Sequence, residues 1–125
     1  MSQRSLRVLA ADDDPTMAIL LRAVLQAPAF ELVVVGNGAD ALHAASAHQA
    51  FDIALLDVEM PEVDGLQVAA QLRRQFGDRL CIVLLTGRED AAFVAAQQSL
   101  RAQYLPKPVD WTQLPQRLCH WSDGN

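Results

Sequence analysis

Four short, mostly apolar runs constrain what this chain can become: residues 6–11 (LRVLAA), 30–35 (FELVVV), 51–57 (FDIALLD) and 80–85 (LCIVLL). None is long enough to form a helix on its own, and turn residues bound each of them, so each is read as a strand. Runs apolar at successive positions need cover on both faces, which is the condition of a parallel sheet between two layers of helices. The intervening stretches supply those helices. Asp14-Pro15 opens the first, with Asp14 as N-cap, and Met17, Leu20, Leu21, Val24 and Leu25 form its apolar stripe until Pro28 stops it. Asn37-Gly38 turns into an alanine-rich second helix from 39 to about 48, and Asp64-Gly65 starts a third that closes near Phe76-Gly77. In that third helix Leu66, Val68, Ala69 and Leu72 are expected inward and Gln71, Arg73 and Arg74 outward. Asp90 caps a fourth helix running to about Ser99, and a short fifth strand at 103–105 precedes Pro106-Lys107-Pro108. Asp110 or Thr112 caps the last helix, placing Pro115 in its early turns, where a missing N–H matters least.

Strand and helix thus alternate five times, which makes the fold class α/β: a three-layer, doubly wound (βα)5 unit around a parallel five-stranded sheet. Right-handed crossovers leave few strand orders, and 2-1-3-4-5 is one of the two common ones. The 125 residues fit one domain, 1–125, with a core from about 6 to 121 and only Ser122 to Asn125 beyond the last helix. In the order 2-1-3-4-5 the switch point lies between strands 1 and 3, whose carboxyl ends carry Asp12-Asp13 and Asp57. Thr86 and Lys107 arrive at the same edge from strands 4 and 5.

Composition narrows the partners. No apolar stretch approaches the ~20 residues needed to cross a bilayer, and no leader-like segment opens the chain, so a soluble cytoplasmic domain is expected. A net charge of −5 with no basic cluster argues against a direct grip on nucleic acid. Cys81 and Cys119 lack metal-ligand spacing and are expected to be reduced, with Cys81 packed in a strand. Lys107 is the only lysine among ten basic residues, and it sits between two prolines.

Three carboxylates at one edge repel one another unless a cation or protons intervene, and an all-oxygen set suits Mg²⁺ together with a phosphate. Lys107 offers a mobile positive charge and Thr86 a hydroxyl for phosphoryl oxygens, while a carboxylate is a competent covalent acceptor. Asp57 is the best-placed nucleophile. Read singly, Asp12 and Asp14 could be capping acids, Thr86 a strand-end hydroxyl, Tyr104 an edge residue and Lys107 a solvated charge. All of them would have to coincide at one sheet edge.

These residues closely resemble the response regulator receiver family of two-component signalling, chemotaxis-receiver-like domains with the flavodoxin-like fold. The resemblance covers nearly the whole chain through VLAADDDP, LLDVEMPEVDG, VLLTG and YLPKP, in order and spacing. It implies that Asp57 accepts a phosphoryl group from a phosphohistidine on a sensor histidine kinase or histidine phosphotransfer protein. It further implies Mg²⁺ held by Asp13, Asp57 and the backbone carbonyl of Glu59, with Asp12 acting through water. Lys107 and Thr86 would hold the phosphoryl oxygens, Tyr104 would be the aromatic switch that follows Thr86, and Lys107-Pro108 would be cis. Such a domain is not an enzyme in its own right but assists its own phosphorylation and dephosphorylation. Its output surface would be helix 4, strand 5 and helix 5, meeting an output domain or a second copy.

The chain departs from the family before the fifth strand, where the usual Gly-Ala is replaced by Leu100-Arg101, so helix 4 lacks its C-cap glycine. By the same resemblance, Glu59 and Arg88 fall at positions that vary among receivers and are expected to set the lifetime of the phosphoryl group. They leave neighbouring strand ends with opposite charges, so a bridge across the cleft mouth is expected. Ile19 and Ala18 mark a low-charge face of helix 1 for the phosphodonor. His43, His48 and His120 are expected in solvent. Two alternatives stand beside this reading: a haloacid-dehalogenase-like phosphohydrolase, which would carry its nucleophile on the first strand, and a pseudo-receiver, which would lack an acid, the Thr or the Lys.

Overall fold

The computed structural model describes residues 5–48 and 50–123, the side chain of His48 excepted. Its strands are β1 Leu6–Ala11, β2 Phe30–Val35, β3 Ile53–Asp57, β4 Cys81–Thr86 and β5 Gln103–Pro106. Its helices are α1 Pro15–Val24, α2 Gly38–His48, α3 Gly65–Phe76, α4 Ala91–Ser99 and α5 Leu114–Asp123, with a 3-10 turn at Gly77–Arg79. The five strands are parallel in the order β2-β1-β3-β4-β5.

Because successive strand residues face opposite ways, the sheet feeds two cores. Val8, Ala10, Ile53, Leu55, Cys81, Val83, Leu85 and Leu105 share one core with Leu21 and Leu25 of the α1 segment and Leu114 and Leu118 of α5. Leu9, Ala11, Ala54, Leu56, Ile82 and Leu84 share the other with residues of α2, α3 and α4, and Tyr104 packs at its edge. This parity decides which face each strand end joins: Asp57 continues the α1/α5 face, whereas Thr86 and Tyr104 continue the α4 face.

Local caps set the helix starts. Asp14 accepts the Thr16 N–H at 2.9 Å, and Asp90 accepts the Phe93 N–H at 3.1 Å. Asp64 and Gln67 form a reciprocal capping box at 2.9 Å in both directions. The last helix differs from expectation. It begins at Leu114, so Asp110 closes the preceding turn by accepting the Thr112 N–H and hydroxyl, and Pro115 is the helix's second residue.

Two further expectations are corrected. Arg73 is buried, at 9% exposure, instead of pointing outward. Its guanidinium donates to the carbonyls of Leu100 (2.8 Å), Gly77 (2.7 Å), Leu80 (2.7 Å) and Arg101 (3.1 Å), which ties the end of α3 to the α4–β5 turn. The helical stripe already ran through it, since the buried positions of α3 are 65, 68, 69, 72 and 73. Charge had argued against burial, and backbone oxygens that are themselves in need of donors reverse that argument. Of the pair Leu100-Arg101, it is Arg101 and not the C-cap Leu100 that takes the conformation a glycine would favour. Arg101 holds the left-handed conformation with φ 54°, Ala102 behind it is buried, and Leu100 has ordinary helical geometry.

Candidate functional site

Strand register assembles the acid cluster. Ala11 pairs with Leu56, which leaves Asp12 and Asp57 side by side one step further, and Asp57 itself pairs with Leu85. Thr86 pairs with Pro106, and the Lys107 N–H continues to the Thr86 carbonyl at 3.1 Å, fixing the lysine at the same edge. The start of α3 comes down against Asp57 at Gly65, where any Cβ would run into the Asp57 carbonyl. Only a glycine lets that helix begin so close to the acid. The resulting open cleft, about 390 Å³, is lined by Asp12, Asp13, Asp57, Lys107, Met17 and Trp111 among others.

Asp57 is 3% exposed. Its Oδ1 accepts from the Lys107 ammonium at 2.8 Å and from the Glu59 N–H at 3.1 Å. Burial works against the Lys107 charge, but the hydrogen bond and attraction of Asp57 outweigh it and raise the lysine above its ordinary range. Asp12 behaves oppositely to a paired acid. Burial pushes its carboxyl up to about 6; the Asp14 N–H on its Oδ1 opposes the rise, and the nearby Asp57 charge adds to it. Its Oδ2 is buried without any hydrogen-bond partner. Exposed Asp13 completes the set, with one oxygen from each of Asp12, Asp13 and Asp57 inside 4.8 Å of the others. An orphaned buried oxygen in an all-carboxylate cluster is a donor set that fits a hard divalent cation. Asp14 caps α1 and stands outside that set.

Thr86 is fully buried, and its hydroxyl donates to Glu59 Oε2 at 2.6 Å while accepting the Arg88 N–H at 3.1 Å. Arg88 does not reach Glu59. It forms a two-pronged pair with Asp90, 2.9 Å on each prong, and its guanidinium lies 5.6 Å over the Phe93 ring. The expected Glu59–Arg88 bridge is therefore absent: the helix-capping Asp90, two residues along, offers a nearer carboxylate. Phe93, buried in α4, meets the Tyr104 ring edge-on at 5.4 Å and 62°. The Lys107-Pro108 bond is cis, as expected, and Ala27-Pro28 is cis as well. Ile19 stands 69% exposed on α1, His43 and His120 lie in solvent, and Cys81 is buried in β4. His48's side chain falls outside the described residues.

The bond between Glu59 and Thr86 escaped the sequence, although its signal was present. An acid two residues past the end of β3 lies beside whatever hydroxyl ends β4.

A family model described as the response regulator receiver domain matches residues 8–119. The chain is 35% identical over 127 residues to Sensor protein GacS of Pseudomonas syringae pv. syringae, an alignment covering 98% of this chain and 14% of that protein. It is 34% identical over 113 residues to DNA-binding response regulator MtrA of Mycolicibacterium smegmatis, covering 90% of this chain and 48% of that protein. The chain thus spans less than half the length of either relative. Among solved structures it resembles chemotaxis protein CheY4 of Vibrio cholerae, with a TM-score of 0.83, 25% identity and coverage of 93% of this chain and 98% of that one. A CheY-like receiver domain protein from Methanospirillum hungatei shares the fold at a TM-score of 0.86 and 20% identity, with 96% and 95% covered.

Proposed function

Since the chain belongs to the response regulator receiver domain family, we propose that it accepts a phosphoryl group on Asp57 from a phosphohistidine and converts that event into a change of its α4–β5–α5 surface. The observation that carries this reading is a nearly buried carboxylate at the switch point of the sheet, bonded to the chain's sole lysine and flanked by two more acids. In the transfer, an Asp57 oxygen attacks phosphorus, the P–N bond to the donor histidine breaks, and its electron pair returns to the imidazole. A carbon–oxygen–phosphorus linkage results. Lys107, already within hydrogen-bond reach of Asp57, follows the developing charge onto a phosphoryl oxygen, and the Thr86 hydroxyl serves another.

The acid cluster fits Mg²⁺, with Asp13, Asp57 and the Glu59 carbonyl as ligands and Asp12 acting through water. The ion would neutralise charge between the carboxylates and the incoming phosphate. The protein is in this reading a phosphoacceptor that assists its own modification, not an enzyme acting on other substrates. The donor is a sensor histidine kinase or a histidine phosphotransfer protein, docking near Ile19 on α1 beside the cleft. The output partner, a further domain or a second copy, meets α4, β5 and α5. Among the described residues no helix is long and apolar enough to cross a membrane, and the reading places the whole unit, residues 1–125, in the cytoplasm with its kinase.

The test is intact-mass measurement after incubation with Mg²⁺ and acetyl phosphate. The protein should gain one phosphoryl group, and Asp57→Asn none. Equal incorporation by both would overturn the assignment.

A further inference from the structure

Thr86 has one hydroxyl proton, and the structure shows it already spent. It lies in a 2.6 Å bond to Glu59 Oε2, while the oxygen's lone pair takes the Arg88 N–H at 3.1 Å. A hydroxyl donates once. Thr86 therefore cannot serve a phosphoryl oxygen on Asp57 while it serves Glu59, and the two acceptors are chemically alike, each an anionic oxygen. Glu59 is also placed to compete persistently, because its own N–H is bonded to Asp57 Oδ1 at 3.1 Å, which fixes its backbone beside the reacting group. Its side chain is exposed and Arg88 is committed to Asp90, so among the described residues no other hydrogen bond or ion pair holds the Glu59 carboxylate once Thr86 lets go.

We propose that Glu59 is a positioning residue that stands in for the phosphoryl group in the resting protein, holding the Thr86 hydroxyl until phosphorylation displaces it. The inference rests on the phosphoacceptor reading of Asp57 and adds its regulation. One O–H···O bond is exchanged for another, and no proton changes owner. Thr86 and Tyr104 continue the same sheet face, and the ring of Phe93 touches Tyr104 and lies under the Arg88 guanidinium, whose backbone N–H is bonded to Thr86. Release of Thr86 from Glu59 is then the first movement in a packed series that reaches the α4–β5 surface.

Two measurements test this, and only one needs phosphoryl chemistry. In the protein without Mg²⁺ or phosphodonor, side-chain scalar couplings at Thr86 should report one rotamer. Glu59→Gln, whose amide oxygen still accepts, should keep that rotamer, and Glu59→Ala should average it. In the second, beryllium fluoride with Mg²⁺ is titrated as a phosphoryl mimic. Losing a charge-assisted hydrogen bond that opposes binding should tighten the mimic about fivefold to tenfold in Glu59→Ala and less than about threefold in Glu59→Gln. In a Thr86→Ala background the Glu59→Ala gain should vanish. Equal gains for Gln and Ala would show charge repulsion instead, and a gain that persists without the Thr86 hydroxyl, or an unaveraged rotamer in Glu59→Ala, would overturn the proposal. Failure of the wild-type protein to bind the mimic would count against the phosphoacceptor reading, and the rotamer measurement would still decide the role of Glu59.

Discussion

Replacing Arg73 by methionine keeps most of the aliphatic stem and removes the guanidinium, so the effect isolates the four carbonyl contacts. Those contacts run to Leu80, Gly77, Leu100 and Arg101 at 2.7 to 3.1 Å. A buried carbonyl stripped of its donor costs about 1–3 kcal/mol, and the Leu80 contact, which is fully buried, should cost about that. The other three are partly buried beside a cavity of about 270 Å³ that Arg73, Asp78 and Arg101 help to line, so water can replace much of what they lose. Removing the charge also returns its desolvation penalty, since burial, helped by the neighbouring Arg101 charge, already lowers the Arg73 pKa. The net expectation is a loss of about 2–4 kcal/mol, which at a urea slope of about 2 kcal/mol/M lowers the midpoint by about 1–2 M. Arg73→Lys, a point charge without the planar fork, should lose about half as much. Equilibrium urea unfolding followed by far-UV circular dichroism measures both. A loss under about 1 kcal/mol for methionine with unchanged slope, or lysine equal to arginine, would refute the carbonyl-cradle account.

The carboxyl of Asp12 is raised from 3.8 to about 6 in the folded protein, so between those values the native state binds the extra proton. Without Mg²⁺, the Asp12 contribution to stability is fully present below about pH 4 and is lost, by about 3 kcal/mol, as pH rises through the folded value; the difference between wild type and Asp12→Asn should follow that course, and Mg²⁺ near neutral pH should restore the lost stability only when Asp12 is present. Urea midpoints across that pH range give the comparison, and a slope unchanged in Asp12→Asn would contradict it. Arg101→Gly should relieve about 1 kcal/mol of left-handed strain at φ 54° while losing an exposed pair with Asp78 worth about 0–1 kcal/mol. Thermal unfolding should find the variant between equal to wild type and about 1 kcal/mol more stable, and a clear loss would mean that the Arg101 side chain carries more than the strain.

The architecture was legible because short continuous apolar runs bounded by turn residues and capped helices are local signals, and one topological rule then brought Asp12, Asp57, Thr86 and Lys107 to the same edge. Strand order converts distant sequence positions into neighbours without any knowledge of side-chain geometry. Side-chain pairing is different. Arg88 had two carboxylates within reach of its strand end, and the choice of Asp90 over Glu59 depends on the turn that leads into α4, which strand-level reasoning does not resolve. Arg73 failed for a related reason. A charged residue on the apolar stripe reads as an outward one until the carbonyls of two turns, at Gly77 and Leu80 and at Leu100 and Arg101, are seen to converge on it.

The same placements bear on the proposed movement of α4. Phe93 is its one buried residue, and apart from the exposed Val94 the rest of the helix is small or polar. Its entrance is held by Arg88 and Asp90, which also supplies the N-cap, and its exit by Arg73 through the Leu100 and Arg101 carbonyls. A helix secured at both turns but anchored to the sheet by a single ring can shift as a unit with little loss of apolar burial, because only one large side chain must repack. That ring is the one touching Tyr104 and lying beneath Arg88. In the proposed exchange, a change of partner at the Thr86 hydroxyl acts two residues from the guanidinium that covers α4's only buried anchor, and so small a contact would let a single hydrogen-bond exchange be felt at the surface.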